Sequence, residues 1–149
     1  TSSEVVNTIR EYERFSTAAM NCYVGPKTAF YLRDLESRLR EAGVASKLRI
    51  MQSNGGVSTV ESCARRPIRI LMSGPAGGVI GGASEGAMAA VPNVITIDIG
   101  GTSADISTIP GGAVKIMNPR DTYVSGHPVL TPMIDLVTIG AGGGSIAHL

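Results

Sequence analysis

Cysteine is scarce in this chain: Cys22 and Cys63 are the only two in 149 residues. Their spacing matches no metal-ligand pattern, and both are expected to be reduced, partly buried thiols, as in a cytoplasmic protein. A chain of this length buries a sizeable core without disulfides or metals. Histidine is equally sparse. His127 and His148 stand alone, and each is expected in an ordinary structural position, although the Gly-His-Pro turn around His127 can lie beside a site. An excess of charge of either sign is missing too. The net charge of +1 excludes a bulk electrostatic grip on nucleic acid or on an anionic membrane. No apolar run approaches the ~18 residues of a membrane-crossing helix. The start, Thr1-Ser2-Ser3-Glu4, has neither the basic nor the apolar region of a signal peptide. It also lacks an initiator Met, so the chain is expected to be part of a longer protein. No long-period repeat occurs. Glycine is nearly absent from the front: of 19, only Gly25 and Gly43 precede position 55.

What is present divides into a helical front and a glycine-punctuated α/β body. Thr8-Ile9-Arg10-Glu11 has a capping-box pattern. Ile9, Tyr12, Phe15, Ala19 and Tyr23 follow at helical spacing, and Tyr31, Leu35, Leu39 and Ala42 stripe a second segment. Gly25-Pro26 between them predicts a break, with Pro26 opening the second helix. Residues 1–45 therefore read as a helical hairpin and 46–149 as an α/β lobe. Leu48–Gln52 reads as a strand, Ser53–Gly56 as a turn, Thr59–Arg66 as a short helix capped by Ser58, and Ile68–Met72 as another strand. A helix should begin at Ser73, Gly74 or Pro75 and run to about Ala90. Gly77 with Gly81, and Gly78 with Gly82, would leave a bare groove on it for packing or for an anion at its N-terminus. Arg65, Arg66 and Arg69 form a small basic cluster that reads as a solvated face.

The most informative stretch is Val94–Ser107, Val-Ile-Thr-Ile-Asp-Ile-Gly-Gly-Thr-Ser-Ala-Asp-Ile-Ser. An apolar run ends on Asp98, two glycines and two hydroxyl residues follow, and a second apolar run opens with Asp105. This is a strand, a tight turn and a returning strand with two carboxylates near the turn. Backbone N–H groups of such a turn can approach phosphate oxygens, and carboxylates can hold Mg²⁺ directly or through water. Ala113–Met117 is expected as a third strand of an antiparallel meander, Tyr123–Ser125 as extended, and Leu136–Ile139 as a last strand. Gly140–Ser145 then forms a second glycine loop.

No Walker A sequence occurs, since Gly-Lys-Ser/Thr is absent. A nicotinamide-dinucleotide fold is the rival reading. It would take Ile68–Met72 as its first strand, Gly74–Gly82 as its glycine loop, and Asp98, about twenty residues on, as its acidic residue. Its glycine spacing differs, and Asp98 leads at once into an apparent antiparallel return.

Asp98-Ile-Gly-Gly-Thr-Ser-Ala-Asp105 resembles a phosphate motif of the actin, heat-shock and sugar-kinase ATPase superfamily. Arg10–Arg14, Ile50–Gly56, Leu71–Gly78 and Met133–Ile146 resemble segments of the hydantoinase A/5-oxoprolinase family, in that family's order. The resemblance implies part of a ribonuclease-H-like, actin-like ATPase lobe, with strands in a mixed sheet. It also implies ATP-dependent opening of a cyclic amide such as hydantoin or 5-oxoproline, with acetone carboxylase subunits as relatives of different reaction. ATP and Mg²⁺ are the implied cofactors. Gly100, Gly101, Thr102 and Ser103 would contact phosphate. Asp98 would hold Mg²⁺ or its water, and Asp105 would share that role or orient the turn. Gly142, Gly143 and Gly144 would face nucleotide or substrate, and Gly74 and Gly77 would line the same cleft. The implied partners are the cyclic amide, a missing lobe of the same polypeptide and a hydantoinase B-type subunit. With one lobe, little or no turnover is expected. A non-catalytic contact lobe is the alternative from another class.

Overall fold

The computed structural model describes residues 1–146; His148 lies outside them. A short helix α1 (Ser2–Val5) leads into a helix α2 of 31 residues (Glu11–Glu41). The expected hairpin is therefore one continuous helix. Proline inside a helix removes a hydrogen bond and crowds the preceding turn, yet Pro26 lies within α2. Tertiary anchors on both sides of it hold the axis, as expected where packing rather than propensity stabilises a helix. Before Pro26, the buried Thr17 hydroxyl accepts the Leu130 N–H at 2.9 Å and donates to the Glu13 carbonyl. The Asn21 side-chain oxygen accepts the Ile68 N–H at 3.2 Å. After it, Leu32 packs with Val60 and Cys63. The expected capping box at Thr8 does not form: Arg10 precedes the helix with no side-chain cap.

Strands β1 (Arg49–Met51) and β2 (Val57–Thr59) pair antiparallel around the Ser53–Gly56 turn. Helix α3 (Val60–Arg65) is capped by Thr59, not Ser58; the Thr59 hydroxyl accepts the Ser62 N–H at 3.3 Å. The strand expected over Ile68–Met72 is instead a 3₁₀ turn, Pro67–Ile70. Pro67 has the backbone angle of a helical first turn, and Ile68 is buried against Val129 and Met133. Without that strand the dinucleotide arrangement cannot be assembled. In the expected basic cluster, Arg65 pairs with the exposed Glu61 at 3.1 Å.

Helix α4 (Ser73–Met88) follows, with Ser73 as its first residue. The buried Ser53 hydroxyl accepts the Met72 N–H at 3.1 Å and so holds the start of the helix. The body is a three-stranded sheet, β3 (Val94–Ile99), β4 (Ala104–Ile109) and β7 (Val137–Ile139), in the order β3-β4-β7. A hairpin of β5 (Tyr123–Val124) and β6 (His127–Pro128) lies between β4 and β7 in sequence. All strand pairings among the described residues are antiparallel, so the sheet is not mixed. The β3–β4 return is as expected, but the third strand is β7. In the Ala113–Met117 segment only Ile116 makes a bridge, to Ile134, because β7 occupies the edge of β4.

Helix α4 lies on β3 through a ladder of glycines. A Cβ at Gly86 would come within 2.6 Å of Val94, one at Gly82 within 2.3 Å of Thr96, and one at Gly78 within 3.8 Å of Asp98. Four helical residues rise about 6 Å and two strand residues about 6.6 Å, so each inward strand side chain meets one glycine. The steric need expected of these glycines is real, but it falls on Gly82 and Gly86. Gly81 faces open space. Ala76, Val79, Ile109 and Ile134 form the core at this interface.

Candidate functional site

The glycine ladder ends at Asp98, and the site begins there. Asp98 stands directly opposite Asp105 in the β3–β4 register, and Asp105 stands opposite Thr138 in the β4–β7 register. These three polar residues thus form a row across the sheet, on the face that carries α4. The Thr138 hydroxyl donates to Asp105 Oδ1. Among the described residues the Asp98 carboxylate has no hydrogen-bond or ion-pair partner. A cavity of about 230 Å³ adjoins both carboxylates and is lined by Pro75, Gly78, Val79, Thr96 and Leu136.

The turn between the strands has a marked polarity. The Gly100 N–H donates to the Ser103 carbonyl at 2.9 Å. The second glycine loop lies directly on this turn: the Gly143 N–H donates to the Gly100 carbonyl at 2.9 Å, and the Gly144 N–H to the Gly101 carbonyl at 3.1 Å. Three of the four turn carbonyls are thereby occupied. Among the described residues the N–H groups of Gly101, Thr102 and Ser103 have no acceptor. Successive free N–H groups form an anion-binding concavity. Gly142 has no room for a side chain, because a Cβ there would lie 2.7 Å from the Gly100 carbonyl oxygen and 2.7 Å from the Thr102 nitrogen. The Gly142 N–H donates to the Ser145 hydroxyl at 2.9 Å.

The structure therefore brings together Asp98, Gly100, Gly101, Thr102, Ser103, Asp105, Gly142, Gly143 and Gly144. Gly74 and Gly77 do not line the cavity beside Asp98; Gly78 does. His127 lies on β6 in a separate apolar groove with Tyr12, Phe15 and Tyr23. Cys22 is exposed and Cys63 buried, and burial pushes the Cys63 thiol up. Thr138 escaped the sequence reading. Only the strand register sets it against Asp105, and no local pattern in Val137-Thr138-Ile139 announces that pairing.

The residues present fit a phosphate with Mg²⁺. Among the described residues no three His, Cys, Asp or Glu side chains gather as a metal cage. Mg²⁺ does not need one, since it is commonly held by one or two carboxylates together with water and phosphate oxygens. The cavity is smaller than the ~300–1,000 Å³ of a typical small-molecule site, a size suited to the phosphate end of a nucleotide.

The family described as Hydantoinase/oxoprolinase matches residues 14–149. Caprolactamase subunit alpha of Pseudomonas jessenii is 38% identical over 146 residues, which are 98% of this chain and 21% of that protein. The crystal structure of the ATP-dependent caprolactamase from the same organism superposes with a TM-score of 0.82 at 37% identity, over 99% of this chain and 21% of that one. A nucleotide-free acetone carboxylase structure, described as bearing on ATP-dependent acetone carboxylation, superposes with a TM-score of 0.85 at 28% identity, over 95% of this chain and 19% of that one. The chain thus spans about a fifth of the length of these relatives. With the match extending over nearly all of its residues, the chain belongs to the hydantoinase/oxoprolinase family.

Proposed function

We propose that residues 1–149 form part of one actin-like, ribonuclease-H-like lobe of an ATP-dependent enzyme that opens cyclic amides. The observation that carries this reading is the polarity of the Gly100–Ser103 turn, which presents three N–H groups with no acceptor among the described residues beside two opposed carboxylates. In it, Gly101, Thr102 and Ser103 bind phosphate oxygens through their N–H groups, and Gly100 lets the backbone come close. Asp98 holds Mg²⁺ or one of its waters, and Asp105 supports it from the neighbouring strand. Gly142, Gly143 and Gly144 brace that turn, their N–H groups engaged by Ser145, Gly100 and Gly101, and Gly74 and Gly77 lie further out along α4.

An unstrained lactam carbonyl is a poor electrophile. When bound, MgATP would supply a phosphoryl group to that oxygen with release of ADP; the activated carbon could then take up water, expel the ring nitrogen and release inorganic phosphate. Phosphoryl transfer asks the protein mainly for position and charge neutralisation, and a rigid hairpin of N–H donors and carboxylates provides both. The caprolactamase and hydantoinase/oxoprolinase names favour a cyclic amide substrate; a carboxylation like that of the acetone carboxylase is the alternative reaction. The rest of the polypeptide would supply the facing lobe, and the subunit names of relatives favour a further partner of the hydantoinase B type. A cleft with one wall does not exclude water, so the isolated chain should show little or no turnover.

A second reading is that of a contact lobe without chemistry. The outer sheet face favours it: Ile95, Ile97, Ile99 and Val137 are each at least 60% exposed, an unusual apolar surface for a free protein. The test uses the full-length parent, with hydantoin, 5-oxoproline and caprolactam as substrates. MgATP-dependent ring opening should be lost in Asp98→Asn, and nucleotide affinity should fall in Gly101→Val. Wild-type nucleotide affinity and turnover in both variants would leave the turn a purely structural element.

A further inference from the structure

We infer that Thr138 is a positioning residue for Asp105, and that it forms with Gly142–Gly144 a single clasp that sets the geometry of the phosphate turn. The inference rests on the reading of that turn as the MgATP site. Thr138 does not line the Asp98 cavity, and its hydrogen-bond partner is the Asp105 carboxylate. A carboxylate on a strand can swing between side-chain rotamers. The Thr138 hydroxyl ties down Oδ1 and leaves Oδ2 free to meet a metal-bound water. Partners that orient ligands in this way typically contribute about 10–100-fold to metal affinity.

The same strand continues into the loop that clamps the turn. From Thr138 on β7, three residues lead to Gly142, whose missing side chain allows contact with the Gly100–Thr102 backbone. Gly143 and Gly144 then occupy the carbonyls of Gly100 and Gly101. Those carbonyls would otherwise present partial negative charge near an incoming phosphate. The clasp therefore acts at two points: it holds one carboxylate and removes two acceptors, so that the turn shows phosphate its donors. Gly142, Gly143 and Gly144 serve the turn from behind, rather than forming an independent phosphate loop.

The test is made in the full-length parent, following MgATP-dependent turnover. Thr138 is exposed and valine is close to it in shape, so Thr138→Val should fold. It should raise about tenfold or more the Mg²⁺ concentration needed both for half-maximal turnover and for half-maximal ADP binding measured by calorimetry, while Thr138→Ser, which keeps the hydroxyl, stays within about twofold of wild type in both. Gly142→Ala should raise the KM for ATP about tenfold or more, since displacement of the turn by a fraction of an ångström is costly to positioning. If Thr138→Val matches wild type in Mg²⁺ dependence, or if Thr138→Ser fails as badly as Thr138→Val, the positioning role is wrong. Should Asp98→Asn and Gly101→Val abolish turnover while Thr138→Val and Gly142→Ala behave as wild type, the clasp alone is refuted. Should all four behave as wild type, the reading of the turn falls with it.

Discussion

Replacing Gly82 with alanine should destabilise the fold, whereas the same exchange at Gly81 should not. The two residues are neighbours in α4, and both exchanges gain up to about 1 kcal/mol of helix propensity. They differ in what the new methyl meets. At Gly81 it enters open space, but at Gly82 it falls 2.3 Å from the Thr96 Cγ2, far inside the ~3.5–4.0 Å of a comfortable carbon contact. Thr96 is branched at Cβ and stiff in χ1, and it sits between α4 and β4 with its hydroxyl 3.4 Å from the Ser107 carbonyl oxygen. Overpacking of this kind costs about 1–3 kcal/mol. The propensity gain is common to both variants, so the difference between them isolates the steric penalty, about 1–3 kcal/mol. Urea unfolding followed by far-UV circular dichroism reads it directly. Adding Thr96→Ala to Gly82→Ala removes the clashing methyl and should recover most of the loss, as expected for residues in direct contact. Equal midpoints for Gly81→Ala and Gly82→Ala, or no recovery with Thr96→Ala, would refute the matched ladder of helix glycines and strand side chains.

Pro26→Ala should stabilise the chain by up to about 3 kcal/mol, because it restores a backbone donor inside a continuous helix; a lower thermal midpoint would show that packing depends on the proline. Thr17→Val leaves the Leu130 N–H without its buried acceptor and should cost about 1–3 kcal/mol in urea unfolding, with Thr17→Ser much nearer wild type; identical losses in the two variants would count against the hydroxyl's role. Iodoacetamide at neutral pH should label the exposed Cys22 and spare the buried Cys63 until the chain unfolds, which mass spectrometry of the peptides would check. Burial raises the Cys63 thiol's pKa in the folded state, so the stability tied to its protonated form is complete below the unfolded thiol range near ~8.5 and declines as pH rises through the folded value. Cys63→Ala should flatten that alkaline decline, and an unchanged decline would exclude Cys63 as its source.

Much of the site was legible in the sequence, because its signals are local. The alternation that ends on Asp98, the Gly100–Ser103 turn and the return through Asp105 specify a hairpin within fourteen residues, and the register of two short strands follows from the turn. The glycines of α4 likewise announced a steric demand. Legibility ended where long-range packing decided the outcome. Gly25-Pro26 is a strong local stop, yet Thr17, Asn21 and Leu32 are held by distant residues on both sides of it, and their combined bonds and burial outweigh the local penalty. Ile68–Met72 has the composition of a strand, yet Asn21 takes the Ile68 N–H and the chain turns instead.

The sequence by itself determined the hairpin, its two carboxylates and the family to which the chain belongs, since these rest on residues close together along the chain. Tertiary structure alone decided which glycines matter, which strand borders β4, and how the turn is polarised. Gly142 reaches the Gly100–Thr102 backbone, and Thr138 reaches Asp105, only after β7 pairs with β4. A hydrogen bond between residues 33 apart depends on the β4–β7 register, and with no tight turn joining those strands that register is set by which side chains the sheet face buries.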